Sequence, residues 1–133
     1  MSFEFIQPDG MPAPSGYSYA VSATGQRLFF VAGQTAQDAN GRIVGPNDLV
    51  RQFEIAIQNI VKVLKAGGAG ADNVTKMTIF VTDVSAYREH LRPIGSIYRK
   101  YFGKHYPAMT LVEIRKLFDP EAMIEIEVIA VVP

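Results

Sequence analysis

Apolar and polar positions alternate most regularly toward the C-terminal end. From Met109 to Lys116, the side chains of Met109, Leu111, Glu113 and Arg115 fall on one side and Thr110, Val112, Ile114 and Lys116 on the other. From Ile124 to Val131, Glu125, Glu127, Ile129 and Val131 alternate with Ile124, Ile126, Val128 and Ala130. Between them, Phe118-Asp119-Pro120-Glu121 predicts a turn, because proline pre-sets φ and aspartate can bond its own backbone. Two period-two runs around a turn predict a hairpin. One face of it would be wholly apolar, and the other would mix carboxylates with Met109, Leu111, Ile129 and Val131. A solvated face would not carry such residues, so this face is expected to meet another protein surface, with Glu125 in a pocket there.

The same logic runs through the rest of the chain. Phe3 to Gln7 predicts a first strand, and the proline- and glycine-rich stretch 8–16 a loop. Tyr17 to Ala23 predicts a strand, Thr24-Gly25-Gln26 a turn and Arg27 to Ala32 a returning strand. Leu28-Phe29-Phe30-Val31-Ala32 is apolar throughout, the pattern of a central strand covered on both faces. Residues 38–46 form a loop in which Asn40-Gly41 marks a tight turn.

Leu49, Phe53, Ile57, Ile60 and Leu64 then recur at helical spacing. Asp48 is placed to cap that helix and Gly67-Gly68 to end it. A strand over 73–82 and a second helical region over 84–102, divided near Pro93, precede the final two runs. The order is β-β-β-α-β-α-β-β. It predicts an α+β domain over residues 1–133, a mixed six-stranded sheet with two helices on one face. No element remains to cover the other face, which predicts a closed homo-oligomer.

Composition narrows the function. Lys plus Arg and Asp plus Glu both count 13, for a formal net charge of +0, and no basic excess suggests a nucleic-acid partner. The absence of cysteine excludes disulfides, thiolate metal sites and a cysteine nucleophile. No stretch approaches the roughly 18 consecutive apolar residues of a membrane span, and the first residues lack a secretory pattern. A soluble, cytoplasmic protein without a membrane partner is expected.

Several segments in this order resemble the RidA/YjgF family: Gly16-Tyr17, Phe30-Val31-Ala32-Gly33-Gln34, Thr78-Ile79-Phe80-Val81-Thr82-Asp83, Tyr98 to Phe102, Pro107-Ala108, and Ile124-Glu125-Ile126-Glu127-Val128-Ile129-Ala130-Val131. The resemblance covers nearly the whole chain. It implies a chorismate-mutase-like fold and a homotrimer with three ligand clefts between subunits. The implied activity is hydrolysis of reactive imines and enamines to ketoacids and ammonia. By the same resemblance, Glu125 matches a glutamate linked to the attacking water, Tyr17 a cleft tyrosine, and Gly33 backbone near the bound ligand.

The chain departs from the family where an arginine follows Pro-Ala and binds the substrate carboxylate; here that residue is Met109, with Leu111 two positions on. A thioether donates no hydrogen bond, so a charge-assisted contact of about 1.5–3 kcal/mol is missing. Arg115 lies six residues along, about 20 Å at roughly 3.3 Å per residue, too far to replace it. Arg27, Arg88, Arg92 and Arg99 are the candidates to enter the cleft from a neighbouring subunit. The segment Ser85 to Ile97 looks a few residues longer than in imine-deaminating members and is expected near the cleft.

Each candidate has a plainer role. Glu125 could pair with Arg115 across the hairpin. Tyr17 could be a strand tyrosine reaching water, and Met109 could be interface packing as well as pocket wall. Thr110 is a candidate donor at the cleft mouth, although alternation turns it away from Met109. His90 and His105 lack zinc-site spacing. Gly67-Gly68-Ala69-Gly70 lacks the lysine of a phosphate loop. No metal or cofactor is implied.

Three functions follow as expectations: an imine or enamine hydrolase, a non-catalytic small-molecule binder using the same cleft, and an RNA-directed role. Neutral charge disfavours the last.

Overall fold

The computed structural model describes residues 2–133. Six strands appear in the expected order: β1 (Ser2–Ile6), β2 (Ala20–Thr24), β3 (Arg27–Gln34), β4 (Val74–Val81), β5 (Ala108–Glu113) and β6 (Ile124–Val132). The helices are α1 (Leu49–Ala66), α2 (Val84–Glu89) and α3 (Leu91–Phe102). The class is α+β as expected, but the six strands divide into a β1–β2 ribbon and a four-stranded sheet ordered β3-β6-β4-β5.

The two expected helices become three. The break falls at His90, just before Pro93, which then occupies the first turn of α3, where its missing N–H costs no bond. At α1 the local signals act as anticipated: the Asp48 carboxylate accepts from the Arg51 amide at 3.0 Å, and Gly68 takes a φ of 87° just after the helix ends.

The predicted hairpin does not form. β5 pairs in parallel with β4 (Met77 opposite Met109, Ile79 opposite Leu111), whereas β6 pairs antiparallel with both β3 and β4. The α2–α3 crossover allows this, since it returns the chain beside β4 in the same direction. Nor do β2 and β3 pair; β2 pairs with β1. β3 is an edge strand rather than a central one. Its continuous apolar run has another cause: alternate residues Leu28 and Phe30 are 61% and 74% exposed on the open side of the sheet.

Helices α1 and α3 cover the other side. There Phe53, Ile57, Ile60 and Leu64 of α1 meet Met77, Ile79, Ile126 and Val128, all buried, at roughly 1.5–3 kcal/mol for each large side chain. Pairing register puts Met109 and Leu111 on this covered face, in line with Met77, Val128, Ile79 and Ile126. This corrects the expectation that they share a face with Glu125. Val131, also expected on the outer face, is buried beside Gly25 in the β2–β3 turn.

The open face carries Phe30, Val112 and Ile129 together with Thr110, Glu125 and Glu127. No helix long and apolar enough to cross a membrane occurs among the described residues.

Candidate functional site

Two groups of candidate residues form, on opposite sides of the four-stranded sheet. The first is a cavity of about 580 Å³ on the covered side, bounded by α3, the start of β5 and the loop before β2. Tyr17 and Met109 both line it. Their proximity depends on Ser18, whose N–H donates to the Pro107 carbonyl at 3.1 Å and whose hydroxyl donates to the Tyr106 carbonyl at 2.7 Å. Ser18 is buried and its two bonds fasten the Tyr17 loop to the start of β5. Gly16, with φ of 78°, supplies the left-handed turn that brings the chain in. Tyr17 then packs edge-on against Tyr19 at 5.4 Å.

Five aromatic side chains, Tyr17, Phe53, Tyr87, Tyr98 and Tyr106, line the cavity. Tyr98 and Tyr106 stack at 5.3 Å and 8°, and Phe53 meets Tyr87 edge-on at 6.5 Å. Burial pushes the Tyr87 phenol up to about 12 and raises that of Tyr98 still more, so both stay neutral. Tyr98 donates to the His105 carbonyl at 2.6 Å. The segment 85–97, expected near the cleft, contributes Tyr87, Leu91, Ile94 and Gly95 to this wall.

The second group centres on Glu125. The sheet register shifts between Val31 and Gln34, and there Gly33 lies against the Glu125 carboxylate, where any Cβ would collide with it. Glu125 is half-buried, and among the described residues no donor or cation pairs with it. The Arg115 pairing does not occur; the ion pair found among these residues is Lys100–Glu54, at 3.0 Å. Thr110 also lies on this side, where its hydroxyl accepts from the Lys76 ammonium at 2.8 Å.

The remaining candidates sort by contact. Arg27 is engaged at the end of α1, 5.1 Å from the Phe29 ring centroid and donating to the Gly67 carbonyl at 3.3 Å. Arg88 and Arg92 are exposed. Arg99 lines the cavity of its own chain. His105 is held between Phe3, Phe5 and the Val74 carbonyl, to which its Nε2 donates at 2.7 Å. Among the described residues no cluster of three or more His, Cys, Asp or Glu is placed to hold a metal ion.

The sequence model of the endoribonuclease L-PSP family matches residues 9–132. The chain belongs to this family, also called RidA/YjgF. Its relatives in the family include the RutC family protein slr0709 of Synechocystis, 33% identical over all of this chain and 99% of the relative. The 2-iminobutanoate/2-iminopropanoate deaminase of Capra hircus is 33% identical over 90% of this chain and 83% of its own length. The Rid-family protein YyfB of Yersinia pestis, a protein of unknown function, superposes with a TM-score of 0.89 at 33% identity, over 99% of this chain and all of that one.

Proposed function

We propose that this Rid-family protein hydrolyses reactive imines or enamines in clefts completed between copies of the chain. Glu125 carries the proposal: a half-buried carboxylate without a partner among the described residues of its own protomer, lying against Gly33. Because Glu125 and the Tyr17–Met109 cavity occupy opposite sides of one sheet, a single copy does not bring them together. The open face with its exposed Phe30 invites association, and a closed trimer would set the Glu125 edge of one copy against the cavity of the next.

In such a cleft Glu125 takes a proton from water as the oxygen attacks the carbon of the protonated C=N group, giving a neutral carbinolamine. Glu125 returns that proton to nitrogen and then accepts the hydroxyl proton as the C–N bond breaks, releasing ammonia and leaving the carbonyl product. Similarity to the imine deaminase of Capra hircus supports the substrate class. No metal or cofactor is needed for this chemistry, and the cysteine-free composition fits a cytoplasmic setting.

A second reading, a binding protein without turnover, is favoured by Met109, whose thioether offers no donor to a substrate carboxylate. The balanced charge of the chain gives little support to an RNA-directed role.

Hydrolysis of 2-iminopropanoate and 2-iminobutanoate, generated in situ, decides between the first two. Wild-type activity that is lost in Glu125→Gln, with assembly unchanged by light scattering, supports the hydrolase. An inactive wild type with activity gained in Met109→Arg supports the binding protein.

A further inference from the structure

The cavity raises its own question of size and charge. At about 580 Å³ it lies within the roughly 300–1,000 Å³ range of pockets for drug-sized ligands, and its volume exceeds what a three- or four-carbon imino acid fills. Its wall is largely aromatic and aliphatic, with Phe53, Tyr98, Tyr106 and Ile94 among its members. Arg99 is the one charged side chain lining it among the described residues, and no carboxylate lines it.

Arg99 reaches this position along α3. Helical side chains tilt toward the N-terminus, so residue 99 extends over residue 95 one turn earlier. Residue 95 is glycine, and a Cβ there would sit 3.2 Å from Arg99 Nη1. Glycine is disfavoured inside a helix, yet here it leaves the guanidinium room to lie back along the helix toward the cavity. Arg99 is exposed and, among the described residues, meets no carboxylate; its one side-chain hydrogen bond there is a long 3.5 Å approach to the Ser96 hydroxyl. An unpaired, exposed guanidinium at the rim of an uncharged aromatic cavity is suited to a ligand with a carboxylate at one end and an apolar body at the other.

We propose that Arg99 is the carboxylate anchor of this cavity and that its ligands are 2-imino or 2-oxo acids with an aromatic or bulky apolar side chain. This rests on the imine-hydrolase reading for the reacting group, not for the recognition itself. The ring enters between the Tyr98–Tyr106 stack and Phe53, and the carboxylate stays at the mouth with Arg99. The adjacent C=N carbon then also lies at the mouth, open to Glu125 of a second copy. Arg99 thereby supplies, from α3, the cation that β5 lacks at Met109.

Calorimetric binding of stable 2-oxo acids tests this without turnover, using phenylpyruvate, pyruvate and the neutral phenylacetone as probes. Phenylpyruvate is expected to bind at least about 10-fold more tightly than pyruvate, since its ring buries apolar surface. Arg99→Gln should weaken phenylpyruvate roughly 10- to 100-fold, leave phenylacetone unchanged, and be partly rescued by Arg99→Lys. Phenylpyruvate binding without hydrolysis of any imine would count against the hydrolase and still support the Arg99 anchor. Unchanged phenylpyruvate affinity in Arg99→Gln, equal affinity for pyruvate, or no wild-type binding of phenylpyruvate would each overturn the assignment.

Discussion

The Glu125 carboxylate rests against the Cα of Gly33, so closely that no other residue fits at position 33 without moving it. The contact joins β6 to β3 across a register shift, away from the regular ladder. Gly33→Ala is therefore expected to turn the carboxylate aside while leaving the sheet intact. Because a displacement of about 1 Å can cost on the order of 100-fold in rate, kcat/KM of the imine hydrolysis proposed for this chain should fall by about that factor. Circular dichroism and particle size should stay as in wild type. Full activity in this variant would remove Glu125 geometry from the mechanism.

Gln52 is a buried amide that ties three segments together. Its Nε2 donates to the Gly45 and Glu121 carbonyls at 3.1 and 3.0 Å, and its Oε1 accepts from the Met123 amide at 2.8 Å. Gln52→Ala leaves these backbone groups without partners, and each buried unsatisfied group costs about 1–3 kcal/mol. A stability loss of about 3 kcal/mol is expected, read as a fall in Tm of roughly 10 °C. A loss below about 1 kcal/mol would mean that water or a shifted backbone replaces the amide.

Phe30 projects from the open face with most of its surface in solvent, next to Ile129. If copies associate through this face, Phe30→Glu places a charge in each interface and forfeits about 1.5–3 kcal/mol of burial per ring. Light scattering should then show a smaller particle than wild type at the same concentration. An unaltered oligomer in Phe30→Glu would direct association to another surface, and a wild-type monomer would remove the shared cleft.

Glu54 accepts from both Lys100, at 3.0 Å, and the Tyr101 hydroxyl, at 2.9 Å. These bonds, the lysine's first, hold its carboxyl below the ordinary glutamate value. A depressed folded-state value contributes stability above the unfolded-chain value, lost as pH falls through the folded one. Glu54→Gln should accordingly lower Tm near neutral pH. The difference from wild type should start to shrink as pH drops below about 4.3, where the unfolded carboxyl begins to protonate, and be lost below the lower folded value. A gap in Tm that stays constant into acid would show that the ionised state contributes nothing.

Much of the fold was legible because it depends on short-range effects. The spacing of Leu49, Phe53, Ile57, Ile60 and Leu64 identifies α1, and all five are buried. Asp48 and Gly68 act through the backbone of their own turn. Alternation along β6 likewise separates Ile124, Ile126, Val128 and Ala130 from Glu125 and Glu127, as the burial of each shows.

Strand pairing lay outside that reach. Alternation tells which side chains share a face of one strand, but not which strand lies beside it. The turn at 118–121 suggested that β5 and β6 pair, and so put Met109 with Glu125. Pairing is chosen instead by the whole core: β6 inserts between β3 and β4, where its apolar face meets α1, and β5 takes the outer edge. That arrangement sets Met109 and Glu125 on opposite sides of the sheet. The sequence alone determined the element types, their caps and the list of chemically capable residues, because these depend on neighbours within a few positions. Which of those residues share a cavity, and that Arg99 joins Tyr17 there, was decided only by contacts between distant segments.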